Sequence, residues 1–158
     1  MSAAPGSGAA KLALADGRTV LPDDPSHAAG PLAGLAAGLT WAAAAGFDAL
    51  ITMTCDTPAV RAEHLARLVE ALGEGTAAYP TSADRRHGLC AVWRVSNGPA
   101  LRSRLAQGDH PAVGALLDEI GARAVDFSDE HAFANVNTLA DLAAVAEALS
   151  ARDRPESL

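Results

Sequence analysis

An α/β fold, with a doubly wound, mostly parallel sheet and helices on both faces, follows from three observations. Short apolar or β-branched runs alternate with helix-patterned stretches along most of the chain, as in successive βα units. Hydrophobic residues make up 49% of the 158, and mean hydropathy is +0.12, enough to build one core. The run Leu50-Ile51-Thr52-Met53 follows Gly46 as a short buried strand and ends on Asp56-Thr57-Pro58. Asp56 therefore falls at the carboxyl end of a strand, where open α/β sheets bind ligands.

Each element has a local reason. Residues 1–10 are rich in small residues, Gly and Pro, and read as a disordered start, with 11–149 as the domain and 150–158 as a flexible tail. Asp16-Gly17 is a turn signal before a short strand, Arg18 to Leu21, and Asp23 lies in the polar loop that follows. Gly30-Pro31 opens a helix from Leu32 to Ala45, because proline suits the first turn, and Gly46 ends it as a left-handed cap. Gly34 and Gly38 each cost that helix about 1 kcal/mol relative to Ala, which implies close packing or a backbone approach to ligand. After Asp56, Thr57 and Pro58 suit the start of a helix from Val60 to Leu72, with Leu65, Leu68, Val69 and Leu72 inward. A strand from Thr76 to Tyr79, a polar loop from Thr81 to His87 and a buried strand from Leu89 to Val95 come next. Ser96 starts a helix through Leu105, Pro111 another through Ile120, and Ala122 to Phe127 is a strand. Thr138 with Asp141 fits a capping box for a last helix, Leu139 to Leu149.

Composition excludes several function classes. Twelve basic against nineteen acidic residues give a net charge of −7, and no basic stripe of the kind nucleic acid requires is present. No apolar run reaches membrane-spanning length, and the start has neither the cationic head nor the apolar centre of a secretory signal. Cys55 and Cys90 form no CxxC pair and read as reduced core thiols of a cytoplasmic protein. The five histidines lack ligand spacing, so zinc is not expected.

Asp56 is then either a hard-oxygen ligand for Mg2+ or a helix cap beside Thr57. No GxGxxG or GxxxxGK[ST] phosphate loop occurs. Three segments taken together are more telling: Val20-Leu21-Pro22-Asp23 running to Gly30-Pro31-Leu32-Ala33-Gly34-Leu35; Cys55-Asp56-Thr57-Pro58; and Val125-Asp126-Phe127-Ser128-Asp129 with Phe133-Ala134-Asn135-Val136-Asn137-Thr138. In this order and spacing they resemble the molybdenum cofactor guanylyltransferase family, over nearly all of residues 11–149.

That resemblance implies a Rossmann-like nucleotidyltransferase fold and transfer of GMP from GTP to molybdopterin, with Mg2+ as cofactor. It implies that Asp56 binds Mg2+ and bridges it to the nucleotide phosphates. Asp23, Gly30, Pro31 and Gly34 fall at the nucleotide, while Asn135, Asn137 and His87 fall on the pterin side. GTP and molybdopterin are the implied substrates, and a molybdoenzyme or chaperone is a further implied partner. The residue chemistry agrees, since nucleotidyl transfer depends on positioning and on charge neutralisation, and asparagine suits a neutral ribose or pterin edge. Asn135 and Asn137 could equally brace the loop or cap the last helix, and Asp23 could be an Asx-turn residue. His87 reads as a loop histidine rather than a general base, because the attacking phosphate is already an anion.

The chain also departs from the family. The Leu-Ala-Gly-Gly and Arg-Met-Gly-x-Asp-Lys segments of the family are missing, so the chain reads as amino-terminally truncated. Gly88 stands where the family often has proline after the histidine, and Asp109-His110-Pro111 replaces a basic pair. Two alternatives therefore accompany the enzyme reading. One is a non-catalytic homologue that binds pterin or a partner. The other is a cytidylyl- or sugar-nucleotide transferase of the same fold.

Overall fold

The computed structural model describes residues 19–21, 30–82, 85–128, 132–133 and 135–152. Helix α1 (Pro31–Ala44) leads to strand β1 (Ala49–Ile51), helix α2 (Ala62–Leu72) and strand β2 (Ala77–Ser82). Strands β3 (Arg85–Arg86) and β4 (Val92–Arg94) follow, then a 3-10 turn at Val95–Asn97 and helices α3 (Gly98–Ala106) and α4 (Val113–Glu119). Strand β5 (Arg123–Asp126) and helix α5 (Leu139–Arg152) complete the order. Proline sits in the first turn of α1, and Gly46 follows its end at φ 79°, both as the residue types require.

The α/β class holds, but the pairing is mixed. Strand β2 pairs with β5 in parallel, whereas β1–β4, β2–β4 and β2–β3 are antiparallel. Strands β2 and β3 are separated by two residues in sequence, too few for the crossover a parallel pair requires. Ala78 pairs with both Val92 and Arg123, and Thr81 with both Arg86 and Asp126. Strands β3 and β4 therefore lie along one edge of β2 and β5 along the other. Since β4 is interposed between β1 and β2, strands β1, β2 and β5 still share one direction.

Between β3 and β4 the chain leaves the sheet, and Pro80 is the local reason. Phe127 N–H donates to Thr81 C=O at 2.9 Å, so Thr81 presents its backbone to the β5 side. Pro80, one residue earlier, presents its backbone to the other edge, where it has no N–H to give. His87 N–H still donates to Pro80 C=O at 3.0 Å, and a turn closed by Cys90 N–H donating to His87 C=O (2.9 Å) follows. Two expectations are corrected here. Thr81 and Ser82 extend β2 and Arg85–Arg86 form β3 instead of a loop, while Leu89 and Cys90 belong to the turn instead of a strand.

Alternating side chains supply two cores. Ala77, Tyr79, Ala91 and Trp93 pack beneath Leu32, Leu35 and Leu39 of α1, with Leu101, Leu105 and Leu117 from α3 and α4. Ala78, Cys90 and Val92 face the other way, against Leu68 and Leu72 of α2, Phe127 and Phe133. Gly38 permits the tight seat of α1 on β1, because a Cβ there would stand 2.9 Å from Leu50 Cδ2. In α2 the buried positions are His64, Leu68 and Leu72, at i, i+4 and i+8, while Val69 is exposed. Helix α2 begins at Ala62, later than expected, because Thr57 turns its hydroxyl back to Thr54 C=O (3.1 Å) instead of capping. His64 Nδ1 instead accepts from Arg61 N–H at 3.0 Å. Cys90 is buried, but Cys55, Ile51 at the end of β1 and Met53 beyond it are exposed. Strand β1 is three residues long and ends the sheet order, so it shields less than a central strand. Among the described residues no helix is long and apolar enough to cross a membrane.

Candidate functional site

The turn after β1 carries the acid. Thr54 and Thr57 hydroxyls lie 3.1 Å apart, each 3.6 Å from the buried Cys90 Sγ, which pins both ends of the Thr54–Thr57 turn to the second core. Asp56 sits within this pinned turn. Its Oδ1 is buried and has no hydrogen-bond partner. A buried carboxylate oxygen left without a donor is costly in isolation, and a hard cation satisfies it. The donor chemistry therefore fits Mg2+, which commonly takes one or two carboxylates and completes its shell with water and substrate phosphate. Among the described residues no group of three His, Cys, Asp or Glu forms a preassembled metal site.

The closing segment reaches this turn directly. Val136 N–H donates to Asp56 C=O at 2.7 Å, across eighty residues of chain, and sets Asn135 beside the acid-bearing turn. Phe133 anchors the segment from below, with ring centroids 5.0 Å from Phe127, 5.6 Å from His64 and 5.3 Å from His87. Two cavities flank the turn. One, of about 160 Å³, is lined by Thr54, Thr57, Arg85, His87, Gly88 and Asn135, among others. The second, of about 210 Å³, is lined by Pro31, Gly34, Thr52, Met53, Leu89 and Trp93, among others. Thr54 and Leu89 border both, so the two form one cleft across the sheet's edge. Trp93 holds its indole by donating to Thr52 Oγ1 at 3.0 Å, giving the second cavity a rigid aromatic wall.

The sequence candidates divide as follows. Pro31 and Gly34 line the second cavity, while Gly30 caps α1 and accepts from Ala33 and Gly34 N–H. Asn135 and His87 line the first cavity, on the side of the cleft away from α1. Asn137 is exposed and lines neither cavity; its N–H donates to Asp141 Oδ2 at 3.0 Å at the head of α5. Asp141 is held below the usual carboxylate range by that bond, then by Thr138. Asp141 N–H in turn donates to Thr138 Oγ1 at 3.1 Å, which completes the expected capping box. Asp23 lies outside the described residues.

His87 is half-buried, with Nε2 2.8 Å from Ser82 Oγ. Burial first, and the Arg85 guanidinium second, hold its imidazole below the ordinary 6.5. Thr54 and Arg85 also line the first cavity with no expectation attached to them, and Thr57 does so where only a helix cap is expected. The threonines that flank Asp56, and the basic pair beside His87 in an otherwise polar loop, were the available signals.

Similarity to known proteins agrees with this geometry. The model of the MobA-like NTP transferase domain matches residues 3–126. The chain belongs to that family. It is 44% identical over 137 residues to a molybdenum cofactor guanylyltransferase of Cereibacter sphaeroides, covering 87% of this chain and 68% of that one. A molybdenum cofactor guanylyltransferase of Acidiphilium cryptum is 43% identical over 80% of this chain and 62% of its own length. The fold is also that of molybdopterin-guanine dinucleotide biosynthesis protein A from Archaeoglobus fulgidus, at TM-score 0.71 and 23% identity, covering 95% of this chain and 77% of that one.

Proposed function

We propose that this member of the MobA-like NTP transferase family transfers GMP from GTP to molybdopterin. The observation that carries the reading is the 2.7 Å bond from Val136 N–H to Asp56 C=O, which ties the Asn135 segment to the turn that bears the acid, although Asp56 itself lines neither cavity. GTP occupies the cavity beside Pro31 and Gly34, where the walls are apolar and the wide start of α1 is built on glycine and proline. Molybdopterin occupies the cavity beside His87 and Asn135. Between them, an oxygen of the acceptor's phosphate attacks the α-phosphorus of GTP, and the bond to pyrophosphate breaks. Such a reaction needs alignment and charge neutralisation and no general base, because the nucleophile is already anionic.

Asp56 is the residue proposed to hold Mg2+, which when bound would neutralise the triphosphate. The pinned Thr54–Thr57 turn keeps its carboxylate fixed, so little reorganisation accompanies nucleotide binding. Asp23 and Gly30 join the nucleotide side, and Asn137 the pterin side, as proposals from the resemblance. Unpaired Cys55 and Cys90 agree with residence in the cytoplasm.

Replacing Asp56 by Asn tests the reading. The substitution keeps the side chain's shape and removes an unpaired buried charge, so the unliganded chain should melt no lower than wild type. Its Mg2+-dependent affinity for GTP should fall about tenfold or more, the equivalent of roughly 1.4 kcal/mol. Titration calorimetry with and without Mg2+ reads this, and an unaltered metal dependence would remove Asp56 from the role. Parallel titration with CTP checks the base, since tighter CTP binding would overturn the guanylyl assignment.

A further inference from the structure

The cavity beside Asn135 gathers three basic side chains, and their partners set them apart. Arg86 is neutralised by Asp118 through two hydrogen bonds of 3.0 and 2.7 Å, and its guanidinium lies 5.0 Å from the Tyr79 ring centre. His87 is fixed by Ser82 and by the Phe133 ring. Arg85 is exposed and has neither a carboxylate nor a hydrogen-bond acceptor among the described residues.

Around Arg85 the same cavity offers donors without acceptors. Gly88 and Leu89 are the central residues of the turn closed from Cys90 to His87, and their N–H groups donate to no described residue. The Asn135 side chain likewise has no partner among the described residues. No carboxylate among the described residues lines this cavity. A guanidinium, turn amides and a carboxamide without partners among the described residues form a receptor for a compact polyoxygen anion, because each phosphate oxygen accepts more than one hydrogen bond.

We propose that Arg85, with the Gly88–Leu89 turn, receives the phosphomonoester of the acceptor substrate and presents it to the nucleotide. This rests on the acceptor occupying the His87–Asn135 side of the cleft. The triphosphate is the other possible source of such an anion, and its cavity, beside Pro31 and Gly34, has no basic residue among the described residues that line it. Arginine's planar fork binds two phosphate oxygens at once, so lysine at this position retains charge and loses the bidentate geometry.

The test uses the full chain and two probes that differ by one group, neopterin monophosphate and neopterin, with Mg·GTP titrated separately. Wild type should bind the phosphorylated pterin about tenfold or more above neopterin, the scale of a charge-assisted contact. Arg85→Gln should abolish that preference while leaving neopterin and Mg·GTP affinities unchanged, and Arg85→Lys should restore part of it. A wild-type chain that does not discriminate the two pterins refutes the proposal. So does an Arg85→Gln variant that retains the preference, or one that weakens Mg·GTP as much as the phosphorylated pterin. Arg85-dependent binding of inorganic phosphate, without binding of either pterin, would preserve the anion site and overturn the molybdopterin reading instead.

Discussion

At the scale of single residues, Asp56 and His87 are set apart by their environments. Both Asp56 and the adjacent threonines are ordinary residues, and what distinguishes the acid is one buried oxygen without a donor. His87 is distinguished by where its ring is clamped. With burial and Arg85 both disfavouring the imidazolium, the folded protein holds the neutral ring. The unfolded chain then takes up a proton first as pH falls below 6.5, so the stability associated with His87 is present above that value and is lost on descending towards the folded midpoint. An NMR titration of the ring should give a midpoint below 6.5. Arg85→Gln should raise that midpoint only part of the way, because burial is the larger cause. A wild-type midpoint at or above 6.5 would contradict the buried, guanidinium-adjacent placement.

At the scale of elements, the turn between β3 and β4 is the decisive irregularity. Pro80 deprives one edge of β2 of a donor, the opposing chain loops out at His87–Cys90, and the loop becomes a wall of the cleft. Gly88 fits that loop for a steric reason. A Cβ there would lie 2.7 Å from Leu117 Cδ1 and 3.0 Å from Val113 Cγ1, both on α4. Leu117 is fully buried, so its methyl has little room to retreat. Gly88→Ala should therefore cost about 1–3 kcal/mol in urea unfolding, the usual range for overpacking, without removing the turn's amides. A neutral result would mean that α4 yields readily to the loop. The departure from the family's proline is thus matched by a close helix.

At the scale of the whole molecule, the second core joins the sheet to the site. Phe133 is fully buried, touches the rings of His64, Phe127 and His87, and lies two residues before Asn135. Phe133→Ala should destabilise the protein by about 3–5 kcal/mol, the range for emptying a buried phenylalanine site. Equilibrium denaturation would measure it, and a loss under about 1 kcal/mol would show the closing segment to be separable from the core. Much of this was legible beforehand. Gly30-Pro31 and Gly46 marked both ends of α1, Thr138 with Asp141 marked the start of α5, and Asp56 at a strand end marked the turn, because caps and turns depend on neighbouring residues alone. What the chain order could not reveal was which distant groups would meet. The strand tip found its partner at Val136, Pro80 determined where a strand some ten residues later would break, and His64 displaced Val69 from the core because two phenylalanines lay across from it. Those outcomes follow from packing between segments far apart in sequence, where burial and unmet hydrogen bonds override local preference.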